Sequence, residues 1–221
     1  MVTLVQNIHT TASYLVSEAN GFRSRGVGII GSGAGKLKAG TILGRRTKGA
    51  LSAAAIAGAP APVGATITAS PVVTAGVTKI GVHIFRCEVA GPTGTWQHED
   101  PDGVYVGTAT TGTAYTGQGM TLTITDSGTD PAIGEVFKVT VSQAVADQKR
   151  YPINFSATDG TEHAESILFE ECDATSIDVR RTLTERDSEV TSGELLWPAG
   201  ATDNQKAAAL AELAALGIIA R

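Results

Sequence analysis

The chain has 221 residues and a formal net charge of −5, with 42% apolar, 18% charged and 5% aromatic residues. That balance excludes a disordered tail, and the length suffices for one large or two small domains with real cores. Cys87 and Cys172 are the two cysteines; neither has a CxxC partner or a neighbouring His at metal-ligand spacing, which argues against a disulfide framework and a structural metal site.

Twenty-six glycines, together with abundant Thr and Val, favour short strands and many turns. Residues 1–17 have no basic start and no continuous apolar run, so no signal peptide is expected there. The most apolar stretch, residues 50–69, is Ala, Gly and Pro with few large side chains and would insert poorly in a bilayer. The chain is therefore expected to be soluble, made in a reducing cytoplasm and without a membrane partner.

Charge is unevenly distributed. Residues 1–48 carry 7 basic and 1 acidic side chains, residues 49–147 carry 3 and 8, and residues 148–221 carry 7 and 13. The basic N-terminal segment has three candidate partners: the chain's own acidic C-terminal third, an acidic partner surface, or nucleic acid. Nucleic acid is disfavoured, because the basic residues are scattered among glycines with only Phe22 as a stacking aromatic.

In chain order, Gly26-Val-Gly28-Ile-Ile-Gly31 matches GxGxxG but has Arg23-Ser-Arg25 before it and Ser32-Gly-Ala-Gly35 after it. A dinucleotide site needs a strand before this motif and a helix behind it, so a flexible glycine-rich loop is expected instead. Gly35-Lys36 fails as a phosphate-binding loop, with Ile30 where the first glycine belongs and Leu37 where a hydroxyl should hold magnesium. Residues 50–62, small and containing Pro, read as a connector. Residues 79–89 read as a strand in which Ile84-Phe85 breaks the alternation and marks a bulge or a strand covered on both faces. Met120–Asp126 and Phe137–Val141 alternate apolar and polar, and the turn residues 126–131 between them predict a hairpin or meander. Thr202-Asp-Asn-Gln205 fits a capping box for a helix whose Leu210, Leu213 and Leu216 share one face, with Gly217 closing it and Ile218 making the terminal apolar contact.

Catalytic chemistry finds little support. His98-Glu-Asp-Pro-Asp-Gly103 gathers three carboxylates and a histidine but lacks the spacing of a calcium loop, so an exposed acidic turn is expected. His9, His83 and His163 have no Ser, Cys or Asp partner at motif spacing, and neither GxSxG nor HExxH occurs. Cys172 lies among Glu170, Glu171 and Asp173, whose charge should raise its thiol pKa and make it a poor nucleophile. No catalytic residue, metal ligand or cofactor is nominated, and the balance moves towards a structural or binding protein rather than an enzyme.

Three stretches in order carry a family resemblance. Residues 14–25 (YLVSEANGFRSR), 37–44 (LKAGTILG) and 195–202 (LLWPAGAT) leading into residues 205–221 resemble the head-decoration, or cement, proteins of lambda-like tailed phages. The resemblance covers residues 1–48 and about 148–221. It implies a mainly β fold: a β-clip-like core with a short C-terminal α-helix, assembling as a homotrimer. Residues 49–147 depart from the family pattern and are expected to be an inserted β-rich, sandwich-like domain at an exposed loop, projecting outward.

The same resemblance implies a virion protein that binds the major capsid protein on the outer surface of the mature head, at three-fold and quasi-three-fold positions, and reinforces it against packaged DNA. Residues 1–20 would then be a docking arm. Val2, Thr3, Leu4, Val5, Ile8, Thr10, Thr11, Tyr14 and Leu15 give it a β-prone, weakly charged character suited to adding a strand to an exposed sheet edge. Residues 21–48 and 148–221 form the core. Ser17, Glu18, Ala19, Asn20, Gly21, Phe22, Arg23 and Arg25 are the family-motif residues, with the two arginines facing either capsid carboxylates or the acidic C-terminal third. Trp197 and Pro198 are either a buried anchor before the helix or a trimer contact. The alternative is a surface adhesion or carbohydrate-binding module carried by the insert; glycan binding by residues 49–147 would favour it, particularly with Trp96, Tyr105 and Tyr115 on one face.

Overall fold

The computed structural model describes residues 9–221. The chain is mainly β and divides into two compact units, residues 1–48 with 146–221, and residues 49–145. Four strands come first: β1 (Leu15–Glu18), β2 (Arg25–Ile30), β3 (Gly35–Leu37) and β4 (Ile42–Arg45). The second unit holds β5 (Leu51–Ala57), β6 (Ala65–Ile67), β7 (Val72–Val73), β8 (Gly81–Val89), β9 (Thr95–Glu99), β10 (Tyr105–Thr110), β11 (Ala114–Gly117), β12 (Met120–Asp126) and β13 (Val136–Gln143). The chain then returns through β14 (Arg150–Pro152), β15 (Ser166–Leu168), β16 (Cys172–Ala174), β17 (Val179–Thr184), β18 (Ser188–Val190), helix α1 (Asp203–Ala215) and β19 (Ile218–Ala220). No helix among the described residues is long and apolar enough to cross a membrane.

In the first unit β14, β2, β17, β15 and β4 close into a barrel, and β1, β18 and β19 make a separate three-stranded sheet. The glycine-rich stretch is thus strand β2 rather than a loop. Its glycines answer to side chains on or just beyond the neighbouring strands β17 and β14: a Cβ at Gly26 would sit on the Glu185 carboxylate, one at Gly28 on Leu183, and one at Gly31 on the Tyr151 ring. Sequence could not reveal this, because those partners lie more than a hundred residues downstream.

Helix α1 forms as its local code dictates. Thr202 accepts from the Gln205 amide while the Gln205 side chain accepts from the Thr202 amide, which satisfies two otherwise orphaned donors. Ala209 and Leu213 are buried, in one cluster with Tyr14, Ile42, Ile167, Leu195 and Ile218. Leu216 departs from the expected apolar stripe: it is the C-cap, 39% exposed. Gly217, at φ +81°, turns the chain so that Ile218 enters the core and β19 pairs in parallel with β18. Thr202→Ala should cost about 1 kcal/mol in thermal or urea unfolding of this unit.

The second unit packs a sheet ordered β10-β9-β8-β13-β5 against β11-β12-β6, with Phe85, Trp96, Phe137 and Val139 from one side meeting Tyr115, Met120, Leu122 and Ile124 from the other. Three expectations are corrected here. Residues 51–57 are edge strand β5 rather than a connector, paired along β13 from Leu51–Gln143 to Ala57–Phe137. Strands β12 and β13 alternate as read, yet they belong to different sheets, so residues 127–135 cross between layers instead of closing a hairpin. Finally, His83, Phe85 and Cys87 face inward in regular alternation, and the β8 irregularity falls between Cys87 and Val89, not at Ile84-Phe85.

Candidate functional site

The residues singled out near the N-terminus fall into three environments. Val2, Thr3, Leu4, Val5 and Ile8 lie outside the described residues. Thr10 and Thr11 are exposed, and the chain joins the fold at Ala12, whose amide donates to the Phe169 carbonyl at 2.9 Å. Tyr14 and Leu15 depart from the arm assignment. Tyr14 is fully buried and shares a 2.7 Å hydrogen bond with the Thr184 hydroxyl, and burial pushes its own hydroxyl pKa up. Leu15 begins β1, opposite Val190. An aromatic ring of that size, once desolvated, belongs to the core and not to a detachable segment.

The following turn brings the family-motif residues together. Ser17 and Asn20 are exposed, and Ala19 is half-buried. Ser24 is buried; its hydroxyl accepts from the Ala19 amide at 2.9 Å and donates to the Asp187 carbonyl at 2.6 Å, which ties both ends of the turn to one place. Gly21 and Phe22 are both left-handed, at φ +73° and +59°. Arg25 grips Glu18 through two bonds, Nε to Oε2 at 2.9 Å and Nη2 to Oε1 at 2.7 Å. Its guanidinium also lies 4.6 Å from the Phe22 ring centroid and 4.3 Å from that of Phe169. Phe169 and Asp187 went unrecognised in the sequence, because no local spacing links residues 18–25 to 169 or 187.

The basic N-terminal segment meets the chain's own acidic groups. Arg45 pairs with Glu165 at 2.5 Å, Arg46 with Asp159 at 3.2 Å and Asp147 at 3.4 Å, and Arg23 with Asp187 at 3.5 Å. A concavity of about 500 Å³ lined by Lys36, Lys38, Glu171, Asp173 and Arg181 mixes both signs of charge and concentrates neither. Both cysteines are free and buried. Burial, ahead of the flanking carboxylates, is what raises the Cys172 thiol pKa.

Trp197 is half-buried against the cluster that includes Tyr14 and Leu213, and Pro198 is half-buried beside it. The aromatic face that would particularly favour the adhesion alternative does not form: of its three residues, Trp96 and Tyr115 are in the core and Tyr105 is exposed. The 98–103 stretch is likewise not a wholly exposed turn. His98 and Asp100 are buried, and Asp100 accepts from Lys79 Nζ at 2.5 Å and from the Asp102 and Val104 amides, which hold its carboxyl below the usual range. Among the described residues, no group of three His, Cys, Asp or Glu is placed to hold a metal ion.

His98 instead sits in a chain of hydrogen bonds. His83 Nε2 is 2.9 Å from the Lys79 carbonyl, His83 Nδ1 is 3.0 Å from His98 Nε2, and His98 Nδ1 is 2.8 Å from the Tyr115 hydroxyl. A carbonyl only accepts, so His83 carries its proton on Nε2. With both rings neutral, His98 then donates to His83, and Tyr115 donates to His98.

Among solved structures, FlgL of Xanthomonas campestris aligns at 19% identity over 48% of this chain and 34% of that one, with a TM-score of 0.33. The flagellar junction protein FlgL of Legionella pneumophila aligns at 11% identity over 48% and 35%, with a TM-score of 0.34. The chain spans about a third of the length of these structures, and the likeness is too slight to bear on its fold or role. No curated protein matches. A family model described as "Bacteriophage lambda head decoration protein D" matches residues 3–218, nearly the whole chain and across the second unit as well as the first. The chain therefore belongs to the bacteriophage lambda head decoration protein D family, structural proteins of the virion capsid.

Proposed function

We propose that the chain binds the outer surface of the expanded phage head as a homotrimer at three-fold and quasi-three-fold positions, and stabilises that head against the pressure of packaged DNA. The observation that carries this is the family match over residues 3–218. Residues 2–11 act as the docking arm by adding a strand to a sheet edge of the major capsid protein, and residues 49–145 are carried on the side away from the shell. Ordering such an arm costs roughly 1–2 kcal/mol per residue, so a single arm binds weakly. Three arms on one trimer raise avidity on the order of a hundredfold, because the second and third dock at high effective concentration. A ligand that recognises only the expanded shell makes expansion harder to reverse, by RT ln(1 + [L]/Kd), and no covalent chemistry is needed.

The test is co-sedimentation with expanded, undecorated capsids of the same phage, followed by imaging. Three-lobed density on the three-fold axes is expected for the intact chain. Removal of residues 2–11, which spares Tyr14, should leave a folded protein that no longer co-sediments. Undiminished binding by that deletion would refute the arm's role.

A further inference from the structure

The turn at residues 19–25 has a feature that fold stability does not account for. Phe22 adopts φ +59°, a left-handed conformation that costs a bulky L-residue stability, and its ring is nevertheless 65% exposed. Single exposed apolar side chains are ordinary. A strained one held rigidly is not, because such strain persists only where the surroundings over-determine it. Here they do. Ser24 pins the turn's two ends at Ala19 and Asp187, and Arg25, locked to Glu18 and to the Phe169 ring, stacks on Phe22 while that residue stays exposed.

A second, independent observation places this ring. Ala12 donates to the carbonyl of the same Phe169 whose ring lies under Arg25, so the chain enters the fold at a residue of the Phe169–Arg25–Phe22 stack. We propose that Phe22 is a preformed anchor that enters an apolar pocket on the capsid shell, on the docking edge from which the N-terminal arm departs. This rests on the capsid-binding function proposed above and names the rigid part of that contact. Arg23 flanks the ring, 70% exposed and only loosely paired with Asp187, and suits a carboxylate at the pocket's rim. An anchor ordered before binding loses little entropy on docking, and buried aromatic anchors are the residues whose truncation costs interfaces most.

The experiment uses the full chain with Phe22→Gly, read by thermal unfolding, by mass in solution and by co-sedimentation with undecorated capsids. Glycine accepts the left-handed conformation freely, so a melting temperature equal to or above that of the unaltered chain is expected, together with capsid binding weakened 10- to 100-fold. Phe22→Leu, which keeps apolar bulk, should bind with intermediate affinity. Full binding by Phe22→Gly, when the arm deletion has lost it, would overturn the anchor and leave the arm standing. A large drop in melting temperature would make the ring a structural element, and a change in oligomeric mass with capsid affinity unchanged would assign it to a contact between copies; either result overturns the proposal. Failure of the unaltered chain to bind would remove the capsid function and the anchor together.

Discussion

Replacing Tyr14 by alanine is expected to destabilise the first unit by about 3–5 kcal/mol, the range for losing a fully buried aromatic side chain. Tyr14 joins β1 to helix α1, packing with Ile42, Ile167, Leu195, Leu213 and Ile218. Its removal leaves a cavity that strands and helix close only in part. For a unit of this size the thermal midpoint should fall on the order of 10–20 °C. Tyr14→Phe keeps the ring and loses only the bond to Thr184, so it should cost about 1–2 kcal/mol, much of it from the unsatisfied hydroxyl at a buried site. Unfolding monitored by circular dichroism separates the two substitutions. An unchanged melting temperature for Tyr14→Ala would return this residue to the docking arm. A deletion that runs past residue 12 therefore removes part of the core and cannot test the proposed arm.

Acidification from pH 6.5 to 4 should weaken the second unit selectively, by about 3 kcal/mol at the lower end. Burial, followed by repulsion from His83, pushes the His98 pKa from 6.5 down to about 4, with Asp100 opposing. The fold thus favours the neutral ring. Its contribution is fully present above the unfolded value of 6.5 and is lost as pH falls towards 4, because the unfolded chain takes up the proton first. Charging His98 also reverses the Tyr115 hydroxyl from donor to acceptor and puts a cation against the stacked Phe85 ring, 4.3 Å away. The first unit contains the opposite case. Glu212 on α1 accepts from His163 Nδ1 at 2.7 Å and raises its pKa, so that pair contributes below pH 6.5 and fades as pH rises through the folded value. Hydrogen exchange at pH 7 and pH 4.5 should therefore show protection lost in residues 49–145 first. His98→Phe, which fills the site without a titrating group, should flatten the pH dependence, and equal softening of both units would refute the assignment.

Much of the local structure was legible before any coordinates. The capping box at Thr202, the alternation in 120–126 and 137–141, and the glycine after α1 involve residues within a few positions of one another, and the chemistry that decides them is equally local. What lay beyond reach was which elements meet. The alternation of β12 and β13 is correct for each strand and silent on their separation into two sheets. The run Leu51–Ala57 looked like a connector because its small side chains carry no large apolar stripe, yet pairing with β13 makes it a strand.

The candidate site divides in the same way. The family resemblance singled out residues 17–25, but not why they matter as a group. Phe22 is held by an arginine whose second aromatic partner is residue 169, and Tyr14 is made a core residue by a hydroxyl partner 170 positions away. The sequence by itself determined the alternating strands at 120–126 and 137–141, the helix and its caps, and the family, because each rests on short-range pattern. Only the tertiary structure decided that Tyr14 belongs to the core, what the glycines at 26–31 accommodate and which rings face water. Those depend on contacts that form when distant segments are desolvated together, and no window along the chain contains both partners.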